Sequence, residues 1–164
     1  MILITGLGNS GKKYVKTRHN IGFKIIDALK KSSDFFPDKE VVFLKPETFM
    51  NESGKAVKQA LAYYKIPFGN LYVIHDEIDL PFGEIRISKN SSSAGHKGVQ
   101  SIIDELKTKD FTRIRIGINP PASVRKTETT DFVLEKFSKQ EEKELEAITK
   151  RAIEEINALL SSRS

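Results

Sequence analysis

Apolar residues in this chain fall in three short uninterrupted runs, at 2–4, 41–44 and 71–74. Runs of this length between polar segments predict strands buried on both faces. Between the runs the spacing becomes helical. Phe23, Ile26 and Leu29 share one face over 22–31, and Val57, Ala60, Leu61 and Tyr64 share one over 52–64. Val99, Ile102, Ile103 and Leu106 form an i, i+3, i+4, i+7 stripe directly after Gly95-His96, which predicts a third helix. Ile85 and Ile87, and then Ile114, Ile116 and Ile118, alternate with polar residues, as in strands with one polar face. Ser138-Lys139-Gln140-Glu141 reads as a capping box opening a last helix with a stripe of Leu145, Ile148, Ala152, Ile156 and Leu159. The order β-α-β-α-β-β-α-β-α predicts a three-layer α/β/α domain around a twisted, mixed and largely parallel sheet. Residues 119–130, with Pro120-Pro121, read as an exposed loop.

At 164 residues this pattern fits a single domain spanning 1–164 that needs no covalent staples. The absence of cysteine excludes disulfides and thiolate metal sites and is compatible with a reducing cytoplasm. The opening Met-Ile-Leu-Ile-Thr is too short an apolar run for a signal peptide, and no run approaches the ~20 residues of a bilayer span. Net charge is +5, and 22 of the 27 basic residues against 16 of the 22 acidic ones precede Ser138. That excess suits a polyanionic partner, although a charge of this size also serves solubility.

The candidate chemistry begins at Gly6-Leu7-Gly8-Asn9-Ser10-Gly11, which follows the first strand and matches the G-x-G-x-x-G turn of dinucleotide folds. The context fails. Lys12-Lys13-Tyr14-Val15-Lys16 carries no apolar stripe, and the second strand ends in Lys45-Pro46 instead of the acid that would hold a ribose. What remains is a glycine loop with Asn9, and ten residues on His19, which titrates near neutrality and can accept a proton from water. A loop histidine can equally be a surface residue. Asn51 is either a site residue or the cap of the helix behind it, and Asp76 either caps a turn or pairs with a lysine. The run His75-Asp76-Glu77-Ile78-Asp79 looks metal-like, but strand neighbours alternate in direction, so few of these groups can converge on one ion. Tyr14 either packs on the loop or stacks on a base. Arg113 and Arg115 share one strand face, for which solvent is the default.

Several blocks in register carry a resemblance. These are Gly6-Leu7-Gly8-Asn9 with Thr17-Arg18-His19-Asn20, Lys45-Pro46 with Thr48-Phe49-Met50-Asn51, His75-Asp76-Glu77 with Asp79-Leu80-Pro81, Gly95-His96 with Gly98, and Arg113 with Arg115-Ile116-Gly117. In this order the chain resembles the bacterial-type peptidyl-tRNA hydrolases over most of residues 2–118. The resemblance implies hydrolysis of the ester between a peptide and the terminal ribose of tRNA, without metal or cofactor, by a cytoplasmic monomer. It implies His19 as the base that activates water and Asp76 as the acid that orients it, with Asn9, Tyr14, Asn51, His96 and Lys97 holding substrate. Arg115, with Arg86 and Lys89 beside it, would clamp a tRNA phosphate. The polar loop 89–94 before a helix N-terminus would be an anion site or lid. The chain departs from the family's pattern in three ways. Ser10 stands for a proline, Lys97 stands for an asparagine, and segment 32–40 is short, which predicts a sheet reduced at one edge. Ser88 also replaces one basic position of the clamp. The competing reading is an inactive RNA-binding protein on the same fold, which would have no need of a base together with its orienting acid.

Overall fold

The computed structural model describes residues 1–32, 36, 38–120 and 128–163. Strands β1 (Ile2–Gly6), β2 (Val41–Leu44), β3 (Leu71–Pro81), β4 (Ile85–Lys89) and β5 (Thr112–Asn119) form a sheet in the order β2-β1-β3-β5-β4. The pairings β1–β2, β1–β3 and β3–β5 are parallel, and β4 closes the edge antiparallel to β5. The mixed, largely parallel sheet is the one expected from the apolar pattern.

Helices α1 (Ile21–Lys31) and α5 (Lys139–Ser161) cover one face, sharing a core with Ile4, Tyr72, Ile74, Ile114 and Ile116. Helices α2 (Ser53–Tyr64) and α3 (Lys97–Leu106) cover the other, around Leu3, Leu71, Val73 and Phe111. Strand β1 sits mid-sheet because all five of its residues are buried. Leu3 and Ile4 are fully so, and each such side chain contributes about 1.5–3 kcal/mol. The box that opens α5 is formed, with Ser138 Oγ accepting from Glu141 N (3.1 Å) and Glu141 Oε1 accepting from Ser138 N (2.8 Å).

Three expectations need correction. Strand β2 is only half-buried along its length, because it lies at the sheet's edge. Strand β3 does not stop at Ile74 but runs to Pro81, so His75, Asp76 and Glu77 lie within a strand, kept there by pairing with β5. Tyr64 is 41% exposed and leaves the α2 stripe, while Ile25 joins the buried face of α1 and Ile153 that of α5. The expected loop 119–130 falls largely on residues outside those described, and at its end Thr129 opens a further short helix, α4 (Thr129–Leu134).

From β1 the chain goes outward to β2 and then returns to β3 on the other side of β1. This reversal places the carboxyl ends of β1 and β3 at a switch point, where open α/β sheets form their crevice.

Candidate active site

The glycines after β1 bring a helix close rather than a phosphate. A Cβ on Gly6 would sit 2.2 Å from Gly22 O, and one on Gly22 would lie 2.5 Å from Ile74 O and 2.6 Å from Leu7 N. Only bare backbone lets the start of α1 press onto β1 at this depth. A Cβ on Gly8 would likewise meet Phe23 and Asn20. The short 3-10 turn Arg18–Asn20 is therefore held against the sheet, and the Asn20 amide fastens it there. Asn20 Oδ1 accepts from Asn9 N and Asn20 Nδ2 donates to Asn9 O, both at 2.8 Å.

That turn delivers His19 to Asp76 on β3. His19 Nδ1 donates to Asp76 Oδ2 at 2.8 Å and to Oδ1 at 2.9 Å. From the other side His96, the N-cap residue of α3, donates from Nε2 to Asp76 Oδ1 at 2.8 Å. The protonation pattern follows from the partners. His96 Nδ1 accepts from Gly98 N (3.2 Å) and Val99 N (3.3 Å), so its proton must be on Nε2. Asp76 is then a carboxylate with donors on both oxygens, His19 carries its proton on Nδ1, and His19 Nε2 is left as a lone pair. Burial by itself would favour a neutral Asp76, but the two imidazoles and their hydrogen bonds outweigh it and hold the carboxyl far below its usual range. Burial likewise pulls His19 down, and the Asp76 charge and hydrogen bond overcome it, so His19 ends above 6.5 despite an opposing push from Lys97.

The chain's three histidines form one cluster of rings tilted or edge-on to one another. His96 lies 5.0 Å from His19 and 4.8 Å from His75, measured between ring centres. His75 is fully buried and donates from Nδ1 to Asp76 O at 2.7 Å. Burial, His96 and Arg113 hold it well below the ordinary histidine value, so it is neutral.

A cleft of about 310 Å³ opens over this cluster, lined by Asn9, His19, Met50, Asp76, Glu77, Ile78, Ala94, Gly95, His96 and Lys97, together with Thr129, Thr130, Val133 and Leu134 of α4. Of the expected substrate residues, Asn9, His96 and Lys97 thus share the cleft with His19 and Asp76. Asn51 and Tyr14 do not line it. Asn51 is exposed on the 3-10 turn Met50–Glu52, beside Met50, and Glu52 occupies the N-cap position of α2, so the capping alternative for Asn51 does not hold. Tyr14 is half-buried against the glycine loop under Lys13. The alternatives for Asp76 are also replaced, since its partners are two imidazoles. A larger groove of about 1300 Å³ between α1 and α5 meets the site at Asn9 and holds no imidazole. Among the described residues, His19, Asp76 and His96 are the group whose ligand atoms could hold a metal ion. As arranged they are joined by shared protons at hydrogen-bond distances. His96 could offer Nε2 as a ligand only by giving up the tautomer that caps α3.

The polar face of β5 is not solvent-facing as expected. Arg113 is buried and donates to Ser92 O at 2.6 Å, because loop 89–94 folds over it. Arg115 donates to Glu77 Oε1 (2.9 Å) and Ser88 Oγ (3.1 Å), so its charge is matched by the buried acid beside Asp76. Arg86 and Lys89 are exposed and engage Glu84 (2.8 Å) and Asp110 (3.8 Å). Sequence reasoning missed Asn20, Arg18 and all of α4. Both Asn20 and Arg18 stand in a quoted block; Asn20 is held by the nearby Asn9 backbone, whereas the acids that bind Arg18 lie far along the chain.

An imidazole with its second nitrogen held by a carboxylate, at the switch point of an α/β sheet, defines a general-base site of the hydrolase class. The family model for peptidyl-tRNA hydrolase matches residues 3–164. Over 167 residues the chain is 46% identical to the peptidyl-tRNA hydrolase of Thermodesulfovibrio yellowstonii, covering 90% of this chain and 89% of that protein. It is 39% identical to that of Bacillus subtilis, with 98% and 93% covered. It is 41% identical to the chloroplastic enzyme of Arabidopsis thaliana, of whose length it spans 60%. The crystal structure of peptidyl-tRNA hydrolase from Acinetobacter baumannii superposes with a TM-score of 0.86 at 30% identity, covering 99% of this chain and 90% of that one. The chain belongs to the peptidyl-tRNA hydrolase family.

Proposed function

We propose that this protein hydrolyses the ester between the carboxyl end of a peptide and the terminal ribose of tRNA, with His19 as the base. Water bound in the cleft attacks the ester carbonyl while His19 Nε2 takes its proton. The imidazolium keeps its Nδ1 proton, donating it to the ionised Asp76 carboxylate, and passes the other proton to the departing ribose oxygen. The Asn9 carboxamide offers a donor and an acceptor to the peptide amide beside the ester, and Lys97 offers positive charge to the developing oxyanion. Asn51 and Tyr14 lie outside the cleft's wall and keep at most a contact with the more distant parts of the substrate.

The tRNA body is assigned to the β4 edge. Exposed pairs such as Arg86–Glu84 and Lys89–Asp110 are worth about 0–1 kcal/mol, so a phosphate displaces the acid at little cost. Arg115 serves Glu77 first and a phosphate only with its remaining donor. Among the described residues no helix is long and apolar enough to cross a membrane. The reading takes the protein as a monomer acting in the cytoplasm, where translation produces its substrate.

The observation that carries the reading is the 2.8 Å contact that leaves His19 Nε2 unprotonated at the cleft. The direct test is turnover of N-acetyl-aminoacyl-tRNA by wild type and His19→Ala. Loss of turnover with tRNA affinity kept is the expected result. Full turnover by His19→Ala would sink the reading.

A further inference from the structure

We infer that Arg18 is a positioning residue that ties α4 to the catalytic turn, and that Val133 and Leu134 of α4 form the subsite for the side chain of the amino acid esterified to tRNA. The inference rests on the hydrolase reading and extends it to a residue pair and a contact surface.

Arg18 immediately precedes His19 and is only 6% exposed. A buried guanidinium is costly unless its donors are met, and here they are met almost entirely by one region. Nη2 and Nε donate to Glu141 Oε1 and Oε2 at 2.7 and 3.3 Å. Nη1 donates to Glu135 Oε2 at 3.1 Å and to Phe132 O at 3.2 Å, and the guanidinium lies 3.9 Å from the centre of the Phe132 ring. The backbone adds three stitches. Arg18 N donates to Glu135 O, Phe137 N donates to Lys16 O, both at 3.1 Å, and Thr17 forms a bridge with Lys136. The turn that carries the base is thereby fastened to both ends of the bend between α4 and α5.

The outcome is the position of α4. Val133 and Leu134 line the same cleft as His96 and Lys97, and Leu134 is 46% exposed although it lines a concave site. Apolar surface presented to water inside a cleft is contact surface for a ligand. The reacting carbonyl must lie beside His19, and the amino-acid side chain branches from the neighbouring carbon. It must therefore rest on a wall of the same small cleft. The acids in that cleft are already engaged, Asp76 by two imidazoles and Glu77 by Arg115. Val133, Leu134, Met50, Ile78 and Ala94 are the apolar groups left to receive it. An open wall of this kind favours large apolar side chains without excluding small ones.

The test compares N-acetyl-leucyl-tRNA with N-acetyl-glycyl-tRNA, which share the ester, the tRNA end and the blocked amine. For Leu134→Ala the ratio of kcat/KM for leucyl over glycyl substrate should fall about 5-fold or more, through KM for the leucyl substrate. Glu135→Gln, at a half-exposed position that does not threaten folding, and Arg18→Lys should lower the same ratio. Both should leave the pH midpoint of kcat where wild type has it, because neither touches Asp76 or His19 Nδ1. Equal losses on both substrates, or a displaced pH midpoint in the latch variants, would overturn the inference while leaving the hydrolase reading intact. Failure of wild type to turn over either substrate would sink both together.

Discussion

Replacing Asp76 with asparagine is the sharpest perturbation of this site, because it keeps the shape and removes the charge. Asp76 accepts from two donors, a forked bond from His19 Nδ1 to both oxygens and one bond from His96 Nε2 to Oδ1. A carboxamide has one oxygen. If that oxygen takes the Oδ1 position it still accepts from His96, but the amide nitrogen then stands 2.8 Å from His19 Nδ1, donor against donor, and pushes the ring away from the oxygen 2.9 Å off. The imidazole escapes by moving its proton to Nε2, which removes the base. In the transition state His19 becomes cationic, and bonds to a charged partner are worth about 1.5–3 kcal/mol each. Losing this one forked bond costs about 1.5–3 kcal/mol, or about 10–10² in rate. The wrong tautomer adds to this loss and takes Asp76→Asn to a fall in kcat/KM of about 10³–10⁴. The pH profile gives an independent reading. The unprotonated imidazole is the active form, so wild-type activity should rise with pH through a midpoint above 6.5. Without the carboxylate, burial and Lys97 both lower His19, and the midpoint should move below 6.5. The assay is release of free tRNA from N-acetyl-aminoacyl-tRNA across pH, with tRNA affinity measured alongside. A loss under about 10-fold, or a midpoint that stays in place, would refute the reasoning.

His96 should show two separable roles, since it both caps α3 and donates to Asp76. His96→Asn keeps a capping oxygen but cannot reach the carboxylate, so it should lose activity with a smaller drop in melting temperature than His96→Ala, which also forfeits about 0.5–2 kcal/mol of cap. Binding of tRNA should weaken linearly with the logarithm of salt, and Arg86→Ala with Lys89→Ala should reduce that slope by about 1–2; an unchanged slope would place the phosphates elsewhere. Glu141 is held below 4.5, because the Arg18 and Ser138 hydrogen bonds outweigh its burial. Its contribution to stability is present above that value and lost as pH falls through the lowered one. Wild type should therefore lose more stability than Glu141→Gln between about pH 6 and about pH 3 in urea titrations. Parallel curves would count against the pairing.

Much of the fold was legible because it depends on local periodicity. The strand runs, the stripes of α1 and α3 and the box at Ser138 each specify their own element. What failed depended on contacts remote in sequence. Arg113 and Arg115 alternate with isoleucines as a solvent-facing strand would, and nothing nearby says that loop 89–94 covers one and Glu77 neutralises the other. Arg18 looks like a surface cation until Glu135 and Glu141, 117 and 123 residues away, are brought to it. Helix α4 has only Phe132, Val133 and Leu134 as contiguous apolar residues, too few to show a period. Of the site, the pairing of His19 with Asp76 could be proposed because whole blocks resembled a family. The residues that set its protonation state could not, since a tautomer is decided by hydrogen-bond partners and not by residue type.

Those partners tie the base to the scaffold more tightly than a two-residue pair would. His19 keeps Nε2 free because Asp76 is ionised and occupied on its other side. Asp76 is occupied because His96 has its proton on Nε2, and His96 has it there because two backbone N–H groups at the start of α3 claim Nδ1. The last link costs the molecule nothing extra, since those N–H groups need a cap in any case. Gly98 supplies one of them and also leaves room for the arrangement, because a Cβ there would lie 2.5 Å from Met50 Sδ and 3.2 Å from His96 Cε1. The start of a helix thus acts here as a reference for proton position, and the Gly8 and Gly22 contacts press the His19 turn into register with it. A G-x-G-x-x-G pattern after the first strand could thus be mistaken for a cofactor loop. Both uses need bare backbone at the switch point, and here the close-packed object is the turn that carries the base.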